Sequence, residues 1–500
     1  MKKILCATIL GLDVKEVEVE VSFIRSLPSF GIYGMAQTSV KESAERVKAS
    51  LSHIKYKFPP QKLVVNLSPS DIKKEGTHFD LPIALLIALY KEEIDFSKYV
   101  AFGELGLDGS LKDTSLIFPI LLSLSHDLKD KTIILPKESY EKASKIPNLN
   151  IVCFENLKDV IESFKENTLN PTKTKVDFKY KSIEINSQKY YYTEEFREDF
   201  LDIKGQERAK RASLIASAGF HNILYEGSPG CGKSMCAKRI RYILPPMSLE
   251  EILQKANLDA LSLKEVEFSP LREFRSPHHT ASRSSIFGGA NRAIGEIALG
   301  NHGAIFFDEI TLFQKSILES LREPLQDHKI LVSRTKDKIE YQTKFLFISA
   351  MNPCPCGNLF SKSKPCKCSD LEIKRYKNKL SSPLLDRIEL YVQMEEIDLD
   401  DKPSLSSKQM QKMVLKAFKN QKQRGQKELN GKLSDSEILK YCVLDSDLEN
   451  ILNNAIIRYE LSQRAINNIK KVSRTIADLD DSENIKKEHL LEALSFRMQL

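Results

Sequence analysis

The run Gly227-Ser228-Pro229-Gly230-Cys231-Gly232-Lys233-Ser234 has the residue types and spacing to hold a polyphosphate, fitting G-x-x-x-x-G-K-[ST]. Its glycines let successive backbone N–H groups turn inward around phosphate oxygens, and the N-terminus of a following helix adds a positive dipole end. Lys233 can then bridge the β- and γ-phosphates while the Ser234 hydroxyl ligates Mg²⁺. Ile223-Leu224-Tyr225 reads as the strand before the loop and Met235–Tyr242 as the helix after it, a context that separates the motif from a chance glycine turn. Further on, Ala304-Ile305-Phe306-Phe307-Asp308-Glu309 is an apolar strand ending in two carboxylates. Charge at that place is costly without a metal or a proton-transfer role. Asp308 is predicted beside the Ser234-bound Mg²⁺ and Glu309 beside an attacking water; a plain helix N-cap is the alternative for Asp308. The reaction class predicted is Mg-ATP hydrolysis.

A second group of residues could bind metal. Cys354-Pro355-Cys356-Gly357 and Cys366-Lys367-Cys368 form two C-x-C pairs separated by nine residues. Four thiolates at that separation can close a tetrahedral Zn²⁺ site, although C-x-C is less regular than C-x-x-C. Structural zinc, reduced unligated thiols and a redox switch all stay open, and the position just after Asn352 predicts a clip near the phosphate site. Cys231 lies inside the phosphate loop, where oxidation is predicted to block nucleotide binding. His278 and His279 are adjacent; in an extended segment they would face opposite ways, so one is expected to order a local turn rather than both to share a metal. The stretch Ile330–Tyr341 reads as two short strands around a basic tip, with Arg334, Lys336 and Lys338 placed to meet phosphates. A solvated turn is the plainer reading. Lys470, Lys471 and Arg474 add a basic run that could equally be a solvent-facing edge.

These groups need elements to position them. The chain has 500 residues, and at about 150 per domain that predicts roughly three domains. Hydrophobic residues are 41% and charged residues 29%, a core-forming balance that excludes a largely disordered chain. The formal net charge of +7 is too small to argue for nucleic acid alone but permits a local basic channel. No apolar run approaches the roughly 18 residues of a membrane span, and the nine cysteines are too sparse for a disulfide scaffold. The start, Met1-Lys2-Lys3 and then Ile4–Leu10, could pass for a signal peptide. A first strand leading into Val14–Val21 is preferred, since no small-residue cleavage site follows, and the chain is read as cytoplasmic. Residues 1–165 read as an α/β unit with strands at Val14–Val21, Lys62–Asn66, Thr132–Leu135 and Ile151–Phe154, a buried helix at Leu81–Leu89 and a hairpin at Gly103–Leu111. Polar residues 166–198 read as a linker, 199–394 as a second α/β unit with a parallel sheet, and 400–500 as a helical domain.

The order of Gly227–Ser234, Ile305–Glu309, Ser349-Ala350-Met351-Asn352-Pro353 and Pro383-Leu384-Leu385-Asp386-Arg387-Ile388 resembles that of an AAA+ ATPase. With Asp202-Ile203-Lys204-Gly205-Gln206, Arg275-Ser276-Pro277-His278-His279-Thr280 and Phe287-Gly288-Gly289, the chain is similar to the Mg-chelatase-like branch of ComM/YifB type. Leu27-Pro28-Ser29-Phe30, Val40–Ser43, Val65–Pro69 and Phe79-Asp80-Leu81-Pro82 extend the likeness to the N-terminal unit, which resembles the Lon-protease fold. There Ile83 occupies the nucleophile position, so proteolysis is not expected and a scaffold is. The resemblance implies that Ile203 and Gln206 flank the nucleotide, that Asn352 is sensor 1, that Arg387 is an arginine finger serving a neighbouring subunit, and that Arg464 is sensor 2 on a C-terminal helical lid. It implies ATP and Mg²⁺ as cofactors, a homo-oligomeric, hexameric ring, and single-stranded or branched DNA as partner. The 330–341 hairpin would project into the pore, with Ser282–Glu296 as a second pore insertion. The activity implied is DNA translocation, in particular branch migration during natural transformation. A metallochelatase-type motor and a nucleotide-switched regulatory scaffold are the competing readings.

Overall fold

Val17, Val19 and Val21 alternate with Glu16, Glu18 and Glu20, so one face of the segment is apolar and the other charged. A computed structural model of the chain, describing residues 2–58, 60–289, 293–333, 338–396 and 400–497, folds this segment into the strand Asp13–Ile24 with all three valines fully buried. Its antiparallel partner is the first strand, Lys2–Leu10, as preferred over a signal peptide. The chain divides into two units, 1–179 with 256–268, and 180–255 with 269–500.

The first unit is built on an eight-stranded mixed sheet in the order Thr172–Lys173, Asn150–Phe154, Thr132–Pro136, Tyr99–Ala101, Lys2–Leu10, Asp13–Ile24, Lys62–Ser68, Ser29–Tyr33. The predicted apolar helix is Asp80–Ala88, and it is buried from Asp80 to Ile87. Asp80 at its start is buried with Arg46, whose Nε lies 2.7 Å from the carboxylate. Ile83, the residue read from sequence as standing in place of a nucleophile, is fully buried in the packing core. The hairpin pairs Glu104–Leu105 with Leu111–Lys112; Gly109 takes φ +84°, and the Asp108 carboxylate accepts from the Ser110 N–H at 3.0 Å.

The second unit holds a five-stranded sheet in the order Phe274–Arg275, Ala304–Phe307, Leu346–Met351, Ile223–Gly227, Leu390–Met394, every neighbouring pair parallel. Strands covered on both faces read as unbroken apolar runs, and Ala304–Phe307 and Leu346–Met351 are buried throughout. Among the described residues, the chain after 400 is helical: Ser407–Gln423, Asp435–Tyr441, Ser446–Tyr459, Gln463–Leu479 and Lys487–Ser495. These helices do not stand apart, because Val414, Val472, Ile476 and Leu490 share one core with Ile223, Leu390 and Val392. The stretch read as a linker also carries structure. Lys181–Ile185 and Gln188–Tyr192 form a hairpin, with Ile185 and Tyr190 buried against Phe418. No described helix is long and apolar enough to cross a membrane.

Candidate active site

Adjacent parallel strands deliver the chemistry at their carboxyl ends, where open α/β sheets leave a crevice. Ile223–Gly227 runs into the phosphate loop, Ala304–Phe307 into Asp308-Glu309, and Leu346–Met351 into Asn352. Gly230 and Gly232 adopt φ +85° and +96°, which only glycine takes cheaply, and Gly232 caps the helix Lys233–Ile240. A Cβ on Gly227 would lie 2.7 Å from Cys231 Sγ and 2.9 Å from the Met394 carbonyl oxygen. The loop is thus closed down on the neighbouring strand.

Around that loop the predicted groups meet. Ser234 Oγ donates to Asp308 Oδ2 at 2.8 Å, and Asp308 Oδ1 accepts the Glu309 N–H at 3.0 Å. Two oxygens bound to adjacent octahedral positions of Mg²⁺, each about 2.1 Å from the ion, are about 3 Å apart. Ser234 and Asp308 therefore suit a shared Mg²⁺, which when bound would neutralise charge on the phosphate oxygens. Lys233 Nζ donates to the carbonyls of Gly227 at 2.5 Å and Ser228 at 3.0 Å, and to Asn352 Oδ1 at 3.1 Å. Burial holds its ammonium below the ordinary lysine range, which favours exchange of these neutral acceptors for phosphate. Glu309 is exposed and held at φ +48°, a left-handed conformation unusual outside glycine. Gln206 Nε2 reaches the Glu395 carbonyl at 2.6 Å, one residue beyond the Gly227–Met394 pairing, and Ile203 beside it is buried.

Comparison with known families and proteins is consistent along the chain. The family described as "Magnesium chelatase, subunit ChlI" matches residues 199–402, "Subunit ChlI of Mg-chelatase" matches 17–139, and "Magnesium chelatase, subunit ChlI C-terminal" matches 404–497. The chain is 34% identical to "Competence protein ComM" of Haemophilus influenzae over 98% of this chain and 96% of that protein. It is 35% identical to "Uncharacterized protein YifB" of Salmonella typhimurium, covering 98% of this chain and 95% of the other. The chain belongs to the ComM/YifB-type Mg-chelatase-like family. That family is one of AAA+ ATPases, and the geometry above is what nucleotide and Mg²⁺ use requires.

The remaining residues singled out in this ComM/YifB-type chain fall into separate groups. Arg387 is buried and donates to the Arg322 and Pro383 carbonyls and to Gln326 Oε1. Arg464 donates to the same Gln326 oxygen at 2.9 Å. Burial first, then the Arg464 and Arg322 charges, lowers the guanidinium pKa of Arg387. Among the described residues no carboxylate forms an ion pair with Arg387 or Arg464, and neither hydrogen-bonds to Lys233, Ser234, Asp308, Glu309 or Asn352. Gln326, which gathers them, carries no signal in the sequence. Nor does Tyr376, whose hydroxyl accepts from Thr311 Oγ1 at 2.8 Å.

The basic hairpin exists as Lys329–Ser333 paired antiparallel with Lys338–Gln342. Lys338 is exposed; Arg334 and Lys336 lie outside the described residues. Part of Ser282–Glu296 is likewise undescribed, but Arg283–Phe287 is helical and Glu296 pairs with Arg275 at 2.7 Å. Two expectations are corrected. The rings of His278 and His279 do not point apart but stack with centroids 4.2 Å apart, because the segment turns here, Ala281 N donating to the His278 carbonyl. His278 does order that turn, through Nδ1 with Thr280 Oγ1 at 2.8 Å. Arg474 is no solvent edge: it is buried on Asp478, while Lys470 pairs with Glu449 at 2.6 Å and Lys471 is half-buried. Cys231 is buried, and that burial pushes its thiol up, which disfavours the thiolate that oxidation needs.

Proposed function

We propose that this chain hydrolyses Mg-ATP between adjacent copies in a ring and uses the cycle to move DNA, promoting branch migration of recombination intermediates during uptake of transforming DNA. The observation that carries the reading is a divided catalytic set. Lys233 is hydrogen-bonded to Asn352 at 3.1 Å and Ser234 to Asp308 at 2.8 Å, whereas Arg387 and Arg464 converge on Gln326 with no carboxylate paired to either among the described residues. A guanidinium forks onto phosphate oxygens, and a pair held away from its own loop suits the phosphate of a neighbour. A hexamer is the family expectation for such a ring.

DNA as cargo is supported by the hairpin 329–342 with its exposed Lys338 and by the competence role named for the Haemophilus relative. The N-terminal unit then acts as a Lon-like scaffold and the C-terminal helices as the lid. The test is the ATPase rate with and without single-stranded DNA and a synthetic four-way junction, followed by branch migration of that junction. Lys233→Ala and Arg334→Ala serve as controls. Stimulation by DNA and junction movement by the unaltered chain alone are expected. Absence of both stimulation and binding at low salt would turn the reading towards a metallochelatase-type motor or a nucleotide-switched scaffold.

A further inference from the structure

The segment between the strand Leu346–Met351 and the helix Asp370–Lys377 has no helix or strand of its own. Loops of this length without internal structure are uncommon in compact units unless something ties them. Here the chain brings its cysteines together: Cys354 Sγ lies 3.4 Å from Cys356 Sγ and 3.6 Å from Cys366 Sγ, and Cys356 lies 3.6 Å from Cys366. With Cys368, all four sulfurs sit within 4.8 Å of one another. Tetrahedral Zn²⁺ with bonds of about 2.3 Å sets its sulfurs about 3.8 Å apart, within a few tenths of an ångström of the three separations among Cys354, Cys356 and Cys366. Co²⁺ can occupy the same tetrahedral thiolate set in place of Zn²⁺, whereas Mg²⁺ takes oxygen.

The clip does not hang free. Gly357, one residue past Cys356, takes φ +79°, and a Cβ there would meet Pro229 Cδ at 2.8 Å and Cγ at 2.9 Å. Pro229 belongs to the phosphate loop. At the other end of the segment, Lys377 Nζ pairs at 2.8 Å with buried Glu226 in the strand that feeds the loop.

We propose that Cys354, Cys356, Cys366 and Cys368 bind structural Zn²⁺ and that the closed clip, through Gly357 on Pro229, holds the phosphate loop in its nucleotide-binding form. Metal occupancy then sets ATP affinity, with no part in the chemical step. The inference rests on the nucleotide site but not on DNA as cargo, so it can fail while the translocase reading stands, and the reverse.

The test uses the full chain. Metal analysis should return one Zn²⁺ per chain, with the clustered thiols protected from a thiol reagent until a chelator is added. Co²⁺ exchange should give the visible absorption of a tetrahedral thiolate site. Binding of a fluorescent ATP analogue should weaken at least about tenfold on chelation or in Cys356→Ser, and recover when Zn²⁺ is restored to the chelated chain. Gly357→Ala should keep zinc and the cobalt spectrum yet lose nucleotide affinity, which a metal acting only on global folding would not do. If Cys356→Ser is unfolded, Gly357→Ala with the chelation series decides alone. Metal-free protein with four freely titratable thiols, a disulfide among them, or unchanged nucleotide affinity in zinc-free or Gly357→Ala protein would overturn the proposal.

Discussion

At the residue scale, the phosphate loop and the apolar strand ending in Asp308-Glu309 separate binding from hydrolysis. Lys233 is the ammonium nearest the loop carbonyls, and a hydrogen bond to a charged partner contributes about 1.5–3 kcal/mol. Lys233→Ala should therefore weaken ATP binding by roughly ten- to a hundredfold or more, read by titration with a fluorescent analogue. Among the described residues Glu309 forms no hydrogen bond with Lys233 or Asn352, and its predicted role is on the water. Glu309→Gln should bind ATP as before while turnover falls by about 10²–10⁴, the range for removing a general base; normal turnover in that variant would refute the assignment. Asp308 differs from both, since its carboxylate already bonds Ser234. Asp308→Asn should raise the Mg²⁺ concentration needed for half-maximal ATPase without abolishing binding of the nucleotide itself.

At the element scale, the hairpin Lys329–Ser333/Lys338–Gln342 is where charge could meet a polyanion. If its basic residues touch phosphates, each substitution by Ala at Arg334, Lys336 or Lys338 should reduce the slope of log K against log salt by about 0.7 on single strands. An unchanged slope would assign the hairpin to another surface. Elements whose information is local are legible in the amino-acid sequence itself. The phosphate loop, the carboxylate strand and the helix Asp80–Ala88 are each written in fewer than about 12 neighbouring residues, in periodicity or glycine spacing. Elements defined by distant partners are not. The hairpin within 180–192 reads as a polar linker because its outer face is exposed, and the Phe418 that buries Tyr190 lies far along the chain. The turn at His278 hides in a run that could equally be extended. Gln326 is beyond sequence reasoning altogether: it meets Arg387 across 61 positions and Arg464 across 138.

At the scale of the whole molecule, that convergence decides how the chain must be assayed. If sites are shared between copies as proposed, a single copy contributes the Lys233 half of one site and the Arg387–Arg464 half of another, so neither half-defective variant should hydrolyse ATP by itself. Mixing them is informative. In a ring assembled from equal amounts of Lys233→Ala and Arg387→Ala chains, an interface works only where an intact loop faces an intact arginine from the neighbouring copy. Random assembly makes this true for about one interface in four, given head-to-tail contacts that close into a ring. The ATPase rate of the mixture should thus climb from near zero to roughly a quarter of the unaltered protein's, after subunits are allowed to exchange in the presence of nucleotide. An arginine acting on its own chain's nucleotide would give no recovery at any mixing ratio. Repeating the mixture with Arg464→Ala in place of Arg387→Ala asks whether the second guanidinium belongs to the same neighbour. Their shared bond to Gln326 predicts the same recovery, and a double variant of the two arginines should lose little more than either alone, because both would serve one phosphate group.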